Sequence, residues 1–350
     1  MTVSSTSKLL GPIAVTLILT GPLAAEAAAA HPAHHTAPHS ASGAARLASQ
    51  GPPAAAEPDG VVRHSGANGA EREGVLDYWT AERMESALPA GSLLDEVFPT
   101  PETKEGGTED GRTRPSASRT ASGQHSTGER WTSGGAVTRT TGRVFLTMGG
   151  RDLTCSAAVV PAENRDTVVT AGHCLKDGTG AWAGNWTFVP GYDNGEAPYG
   201  RYVVREALVD RKWSAEAEDS FDFGMAVLHP TGDNHVQDQV GAQRIAFGDR
   251  SGQQTYAFGY PTAGGFDGSG LHYCAGRPTA DKRGTTASGM RCAMTEGSSG
   301  GPWLTDFDPA SGEGTITSVI SFKYANDAST QFGPRLGDEA ERLYEEAGSL

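Results

Sequence analysis

Three short segments of this chain carry residue types that together could perform acyl transfer. A serine attacks an acyl carbon when a neutral imidazole takes its proton, a carboxylate orients that imidazole, and backbone N–H groups face the developing oxyanion. Thr170-Ala171-Gly172-His173-Cys174 offers the imidazole directly behind the apolar run Thr167 to Val169. Phe221-Asp222-Phe223-Gly224-Met225-Ala226-Val227-Leu228 opens an otherwise apolar strand with one carboxylate, costly to bury unless a partner such as His173 meets it. Gly297-Ser298-Ser299-Gly300-Gly301-Pro302 flanks a serine with glycines, so the backbone can turn sharply and aim amides into one pocket. His173 is the candidate base, Asp222 its orienting acid and Ser299 the nucleophile. The N–H groups of Gly297 and Ser299 are the candidate oxyanion donors.

Each segment alone has an ordinary explanation. A histidine behind a strand is more often structural, an aspartate at a strand edge often caps a turn (with Asp219 the nearest competing acid), and a Ser/Gly hexapeptide is commonly a loop. Their weight comes from occurring together.

The elements that would hold these residues begin near Gly135. Short β-type runs follow, separated by Gly, Asp, Asn and Pro: 143–148, 157–160, 167–170, 186–189, 202–209, 224–228, 255–258 and 315–322. Such spacing predicts an all-β sandwich or barrel. Leu336, Ala340, Leu343 and Tyr344 recur at helical spacing and predict a short C-terminal helix packed on the body. The four cysteines, Cys155, Cys174, Cys274 and Cys292, allow three pairings; joining sequence neighbours is the simplest. A metal role for them is weak, because no two lie two to four residues apart.

Upstream, Lys8, the apolar stretch Leu9 to Ala24 and Ala28-Ala29-Ala30 predict an export signal over residues 1–30. That stretch contains Gly11, Pro12, Gly21 and Pro22 and falls short of a membrane span, so no membrane association is expected once it is removed. Residues 31–134 are Ala, Pro, Ser, Thr, Gly and charge, which predicts a mostly flexible pro-region. Its apolar concentration from Val75 to Phe98, interrupted by Pro89 and Gly91, could form a short helix and dock on the following domain. His31, His34, His35 and His39 read as a solvated tail rather than a metal site. A net charge of −14 with no Lys/Arg-rich run excludes a nucleic-acid partner.

With these motifs in hand, the chain resembles the trypsin-like (chymotrypsin-fold) serine peptidases over roughly Gly135 to Leu350. Phe188-Val189-Pro190-Gly191-Tyr192 and Pro198-Tyr199-Gly200 look most like the bacterial secreted branch that includes glutamyl endopeptidases. The order His, Asp, Ser is that family's order, whereas α/β-hydrolases run Ser, Asp, His. The resemblance implies two packed antiparallel six-stranded β-barrels with the site between them. His173 and Asp222 would lie in the first and Ser299 in the second. It implies that Cys155 and Cys174 form the bridge beside the histidine, and that Ser321 contacts the triad aspartate from a strand that binds substrate backbone. It further implies a secreted, extracellular endopeptidase acting on polypeptides without a cofactor or metal, with the pro-region as a further partner. The weighed alternative is a catalytically inactive binding module on the same fold.

Two departures matter. Ser298 stands where animal trypsins carry the aspartate that pairs with a new N-terminus, so that switch is absent. The processing site is not readable among Arg114, Arg119, Arg130 and Arg139. The substrate pocket implied by the resemblance is edged by Ala293, Met294, Thr295 and Ile320, followed by Ser321 and Phe322. It holds no acid at its base and has Ile320 where glutamate-specific relatives have histidine, which hints at an apolar or small substrate side chain. With His173 as base, activity is expected to fall below about pH 6.5.

Overall fold

The computed structural model describes residues 60–90, 125–250 and 252–350. The expected export signal, the histidine cluster at 31–39 and the remaining stretches 40–59 and 91–124 lie outside the described residues.

Residues 60–90 form Val61–Ser65 (β1), the helices Arg72–Tyr78 (α1) and Ala81–Ser86 (α2), and Leu88–Pro89 (β2). Thr80 starts α2 by accepting a hydrogen bond from the Arg83 N–H, satisfying one donor of the open helix end. Ser126–Arg130 (β3) and Ala136–Thr140 (α3) lead into the first barrel. Its strands are Thr141–Met148 (β4), Arg151–Val159 (β5), Thr167–Thr170 (β6), Gly184–Pro190 (β7), Tyr202–Asp210 (β8) and Gly224–Leu228 (β9). The helix Arg211–Glu216 (α4) sits between the last two.

The order β8-β7-β4-β5-β6-β9 closes on itself, because β9 pairs again with β8. Closure removes most of the edge groups an open sheet would leave unpaired. Every residue of β9 is buried. Ala226 and Leu228 face the barrel interior with Val144, Leu146 and Trp186, while Met225 and Val227 face a second cluster holding Ala340, Leu343 and Ala347. A strand covered on both faces reads as a continuous apolar run, which is how this one reads in the sequence.

Val236–Val240 (α5) and Arg244–Ile245 (β10) cross to the second half. There Thr255–Gly259 (β11), His272–Gly276 (β12), Thr279–Ala280 (β13), Ser288–Arg291 (β14), Pro302–Asp308 (β15), Glu313–Val319 (β16), Phe322–Tyr324 (β17) and Asp327–Gly333 (β18) form two sheets. One runs β10-β16-β15-β11-β12-β3 and the other β13-β14-β18-β17. The helix Asp338–Ser349 (α6) then returns to pack on β8 and β9 of the first barrel. Its predicted stripe is realised with Leu336, Ala340 and Leu343 fully buried. The all-β, two-barrel architecture with a C-terminal helix is therefore the observed one. The second barrel is built from two sheets, tied by Cys274–Cys292 and by the Ser321 N–H donating to Phe332 O, rather than from one continuous ladder.

The domain boundary expected at residue 135 falls inside the fold. Ser126–Arg130 pairs with β12, and Trp131, only 8% exposed, packs edge-on against Phe258, Tyr273 and Phe307. Polar composition hid this strand, since a sheet-edge strand can be satisfied by backbone pairing with one buried anchor. Residues 60–90 are likewise ordered against the first barrel, beyond the single short helix expected there. Trp131→Ala should lower unfolding stability by about 3–5 kcal/mol, the cost of deleting a buried tryptophan ring. Urea denaturation followed by circular dichroism reads this; an unchanged midpoint would mean that residues 126–131 do not belong to the fold.

Candidate active site

β6 and β9 are neighbours, with Thr170 opposite Gly224, so the segments leaving the end of one and entering the start of the other meet. His173 lies in the 3-10 turn Gly172–Cys174 just past β6, and Asp222 follows the 3-10 turn Asp219–Phe221 just before β9. The disulfide Cys155–Cys174 ties that turn back to β5. Gly172 has to be glycine for reasons of space: a Cβ there would come within 2.9 Å of the Trp213 ring and 3.0 Å of Asp222 Oδ1.

Asp222 is almost wholly buried, and its charge is met by three donors. The His173 backbone N–H donates to Oδ1 at 2.7 Å, His173 Nδ1 lies 2.8 Å from Oδ2, and Ser321 Oγ donates to Oδ2 at 2.5 Å. Burial alone would raise the carboxyl pKa. The His173 charge and these hydrogen bonds outweigh it and hold Asp222 below the ordinary aspartate range. For His173, burial opposes protonation, but the charge and hydrogen bond of Asp222 prevail and raise its pKa above the usual histidine value. Asp219, the competing acid, makes no hydrogen bond to the imidazole among the described residues. Burial and the Asp222 charge push its carboxyl pKa upward.

The Ser299 loop is pinned by both halves of the molecule. From β5, the Ser156 N–H donates to Ser299 O at 2.7 Å and Ser156 Oγ donates to Gly297 O at 2.9 Å. From the second half, Gly300 N–H donates to Ile320 O and Ile320 N–H to Gly301 O. Cys174 Sγ stands 3.7 Å from Ser299 O, which sets the loop against the histidine turn. Gly297 and Gly300 adopt φ of +89° and +80°, and a Cβ on Gly300 would come within 2.1 Å of Thr170 Oγ1. The N–H groups of Ser298, Gly300 and Gly301 are all used within the protein. Among the described residues, no acceptor meets those of Gly297 and Ser299. Ser298 Oγ donates to Thr295 O at 2.6 Å, so this serine closes the loop locally. Ser299 Oγ makes no hydrogen bond to His173 Nε2, a link that in such sites commonly tightens only around substrate.

The six residues expected at the substrate pocket divide. Met294 and Ile320 are core side chains, 0% and 1% exposed, packed with Ala257, Cys274, Met290, Cys292 and Trp303. Ser321 is spent on Asp222. Ala293 is exposed, and Thr295 and Phe322 are partly so.

Sequence reasoning missed three positions. Trp213 backs the imidazole at a ring separation of 6.5 Å, with Nε1 donating to Lys176 O. Ser156 holds the Ser299 loop. Lys323, beside Phe322, donates from Nζ to Cys292 O and Ala328 O; burial lowers its pKa against the charges of Glu296 and Asp327. None stands in a recognisable local motif, because each is defined by a partner distant in sequence.

The bridges are Cys155–Cys174 and Cys274–Cys292. Among the described residues, the group of potential metal ligands is Cys155, His173 and Cys174, whose sulfurs are joined to each other and so are not thiolate donors.

A profile described as "Trypsin-like peptidase domain" matches residues 155–308, which span His173, Asp222 and Ser299. The crystal structure of the protease Anisep from Arthrobacter nicotinovorans is 36% identical with a TM-score of 0.58, over 61% of this chain and 96% of that one. The thermostable serine protease AL20 from an extremophilic microorganism is 39% identical with a TM-score of 0.58, over 61% of this chain and 99% of that one. A Glu endopeptidase structure at 18% identity, with a TM-score of 0.52 over 64% of this chain and 97% of that one, shares the fold. A curated protein named "Extracellular metalloprotease", from Bacillus subtilis (strain 168), is 33% identical over 73 residues, 21% of this chain and 23% of that protein's length. Near-complete coverage of a protease at 36% identity and a serine protease at 39%, on a closed β-barrel with this motif order, makes the chain a member of the trypsin-like, chymotrypsin-fold serine peptidase family.

Proposed function

We propose that this protein is a secreted serine endopeptidase that cleaves polypeptides through an acyl-enzyme, with His173, Asp222 and Ser299 as its triad. The observation that carries this reading is the buried Asp222 carboxylate bound at once to the His173 backbone, the His173 ring and Ser321. That arrangement leaves Nδ1 as the protonated nitrogen and Nε2 as the free base. Ser299 Oγ bonds to the substrate carbonyl carbon as its proton passes to His173 Nε2. The oxyanion forms against the N–H groups of Gly297 and Ser299. The C–N bond then breaks as His173 returns the proton to the leaving amine, and water repeats the sequence to release the acid.

Export through residues 1–30 fits two disulfides in a protein of this size. Processing falls at or before residue 125, because Arg130 lies in a paired strand and Arg139 in a helix. Removal of a pro-region need not build the oxyanion loop, since Ser298 already closes it onto Thr295. No feature of the site favours the inactive-module reading.

A fluorophosphonate should add once, at Ser299, and not to Ser299→Ala, read by intact and peptide mass. Absence of an adduct on folded protein would favour a binding module. Asp222→Asn should cut kcat on the order of 10⁴-fold by presenting the wrong tautomer. The general base works only when neutral. A raised His173 pKa therefore moves the acid limb of kcat/KM above the ordinary histidine value of about 6.5. A limb at or below that value would count against the Asp222 contact acting as described.

A further inference from the structure

The first barrel leaves two stretches of strand edge open. β7 pairs with β8 only at Thr187–Val203 and Phe188–Tyr202, and β6 pairs with β5 only at Ala158–Val169 and Val159–Val168. Residues 60–90 occupy both. β1 lies antiparallel on β8 from Val61–Asp210 to Ser65–Glu206, and β2 lies parallel on β5 at Leu88–Leu153 and Pro89–Thr154.

Between the two strands, Trp79 is 1% exposed, packs on Phe145 at 5.5 Å, and donates from Nε1 to Asn185 O on β7. Val61, Val75, Met84 and Ala87 join the core cluster of Phe145, Val203 and Leu208. Polar contacts fix the register. Arg201 donates to Leu76 O and Trp79 O, His229 Nε2 to Ala67 O, and Asp152 receives both Tyr78 and Arg83.

None of these partners belongs to the histidine turn, the Ser299 loop or residues 293–295 and 320–322. One further contact supports the site from behind. Arg211 N–H donates to Gly60 O at the start of α4, the helix whose Trp213 backs His173.

We infer that residues 60–90 are a clasp that stays bound to the first barrel when its connection to residue 125 is cut, giving a two-chain protein whose site is left open. A segment that contributes strands on two edges and buried aromatic and aliphatic anchors is held as a permanent subunit is held, by core packing and ladder hydrogen bonds. An inhibitory pro-segment would instead have to occupy the cleft at Ser299, and this one packs on the barrel away from it.

The test uses the full chain with a recognition site for a sequence-specific protease inserted between residues 99 and 118. After cutting, native mass spectrometry and size exclusion should find both fragments in one particle. Trp79→Ala should raise fragment release by roughly tenfold or more, the least that loss of a buried tryptophan implies. Arg201→Gln, which removes only the carbonyl contacts, should raise release without opening a cavity. Spontaneous loss of the fragment from the unsubstituted cut protein would overturn the inference. Fluorophosphonate labelling of Ser299 should proceed at the same rate with the clasp bound. Labelling that appears only after the fragment has been stripped would mark it as a plug and overturn the open-site part. That arm alone rests on Ser299 as nucleophile. If neither form labels, the peptidase reading fails while the mass measurement still decides the clasp.

Discussion

A carboxylate sealed from water where two halves of a protein meet is tolerable only if donors surround it, and Asp222 sets that condition for the whole molecule. Its three donors come from two places far apart in the chain, the turn after β6 and Ser321 in the two-residue link between β16 and β17. Supplying Ser321 requires the second half to dock on the first. Supplying both His173 donors requires the tight turn that Cys155–Cys174 and Gly172 make possible. The charge is therefore compatible only with the assembled two-barrel arrangement, and its presence ties the geometry of the site to the integrity of the fold.

The same economy appears around Ser299. The loop is held by its carbonyls and by the Ser298, Gly300 and Gly301 amides, with the Ser156 and Ser298 hydroxyls adding to the hold. Ser156 is the hinge of this arrangement. It accepts from Tyr260 N–H, donates to Gly297 O from its hydroxyl and to Ser299 O from its backbone, joining β5 to both sides of the loop. One small buried polar residue of β5 thus links the half that carries His173 to the half that carries Ser299.

Much of this was legible in the sequence where the signal is local. Thr167–Thr170 and Gly224–Leu228 are strands with the bounds their apolar runs give, and the Ser/Gly hexapeptide announces its sharp turn. Strands stabilised mainly by pairing were not legible. Ser126–Arg130 and Asp327–Gly333 are largely polar, and Pro302–Asp308 opens with a proline, so periodicity passes over all three. Residues 60–90 looked too polar to order because their apolar anchors, Val61, Val75, Trp79 and Met84, are few and spread over β1, α1, α2 and the link between the helices. Met294 and Ile320 were expected at a pocket surface and lie in the core, since position along the chain does not fix which way a side chain turns.

The return of α6 to the first barrel bears on how the protein is made. Met225 and Val227 on the outer face of β9 find their cover in Ala340, Leu343 and Ala347, more than a hundred residues later. Until Asp338–Ser349 has been synthesised, the first barrel carries a bare apolar strip and cannot complete its core.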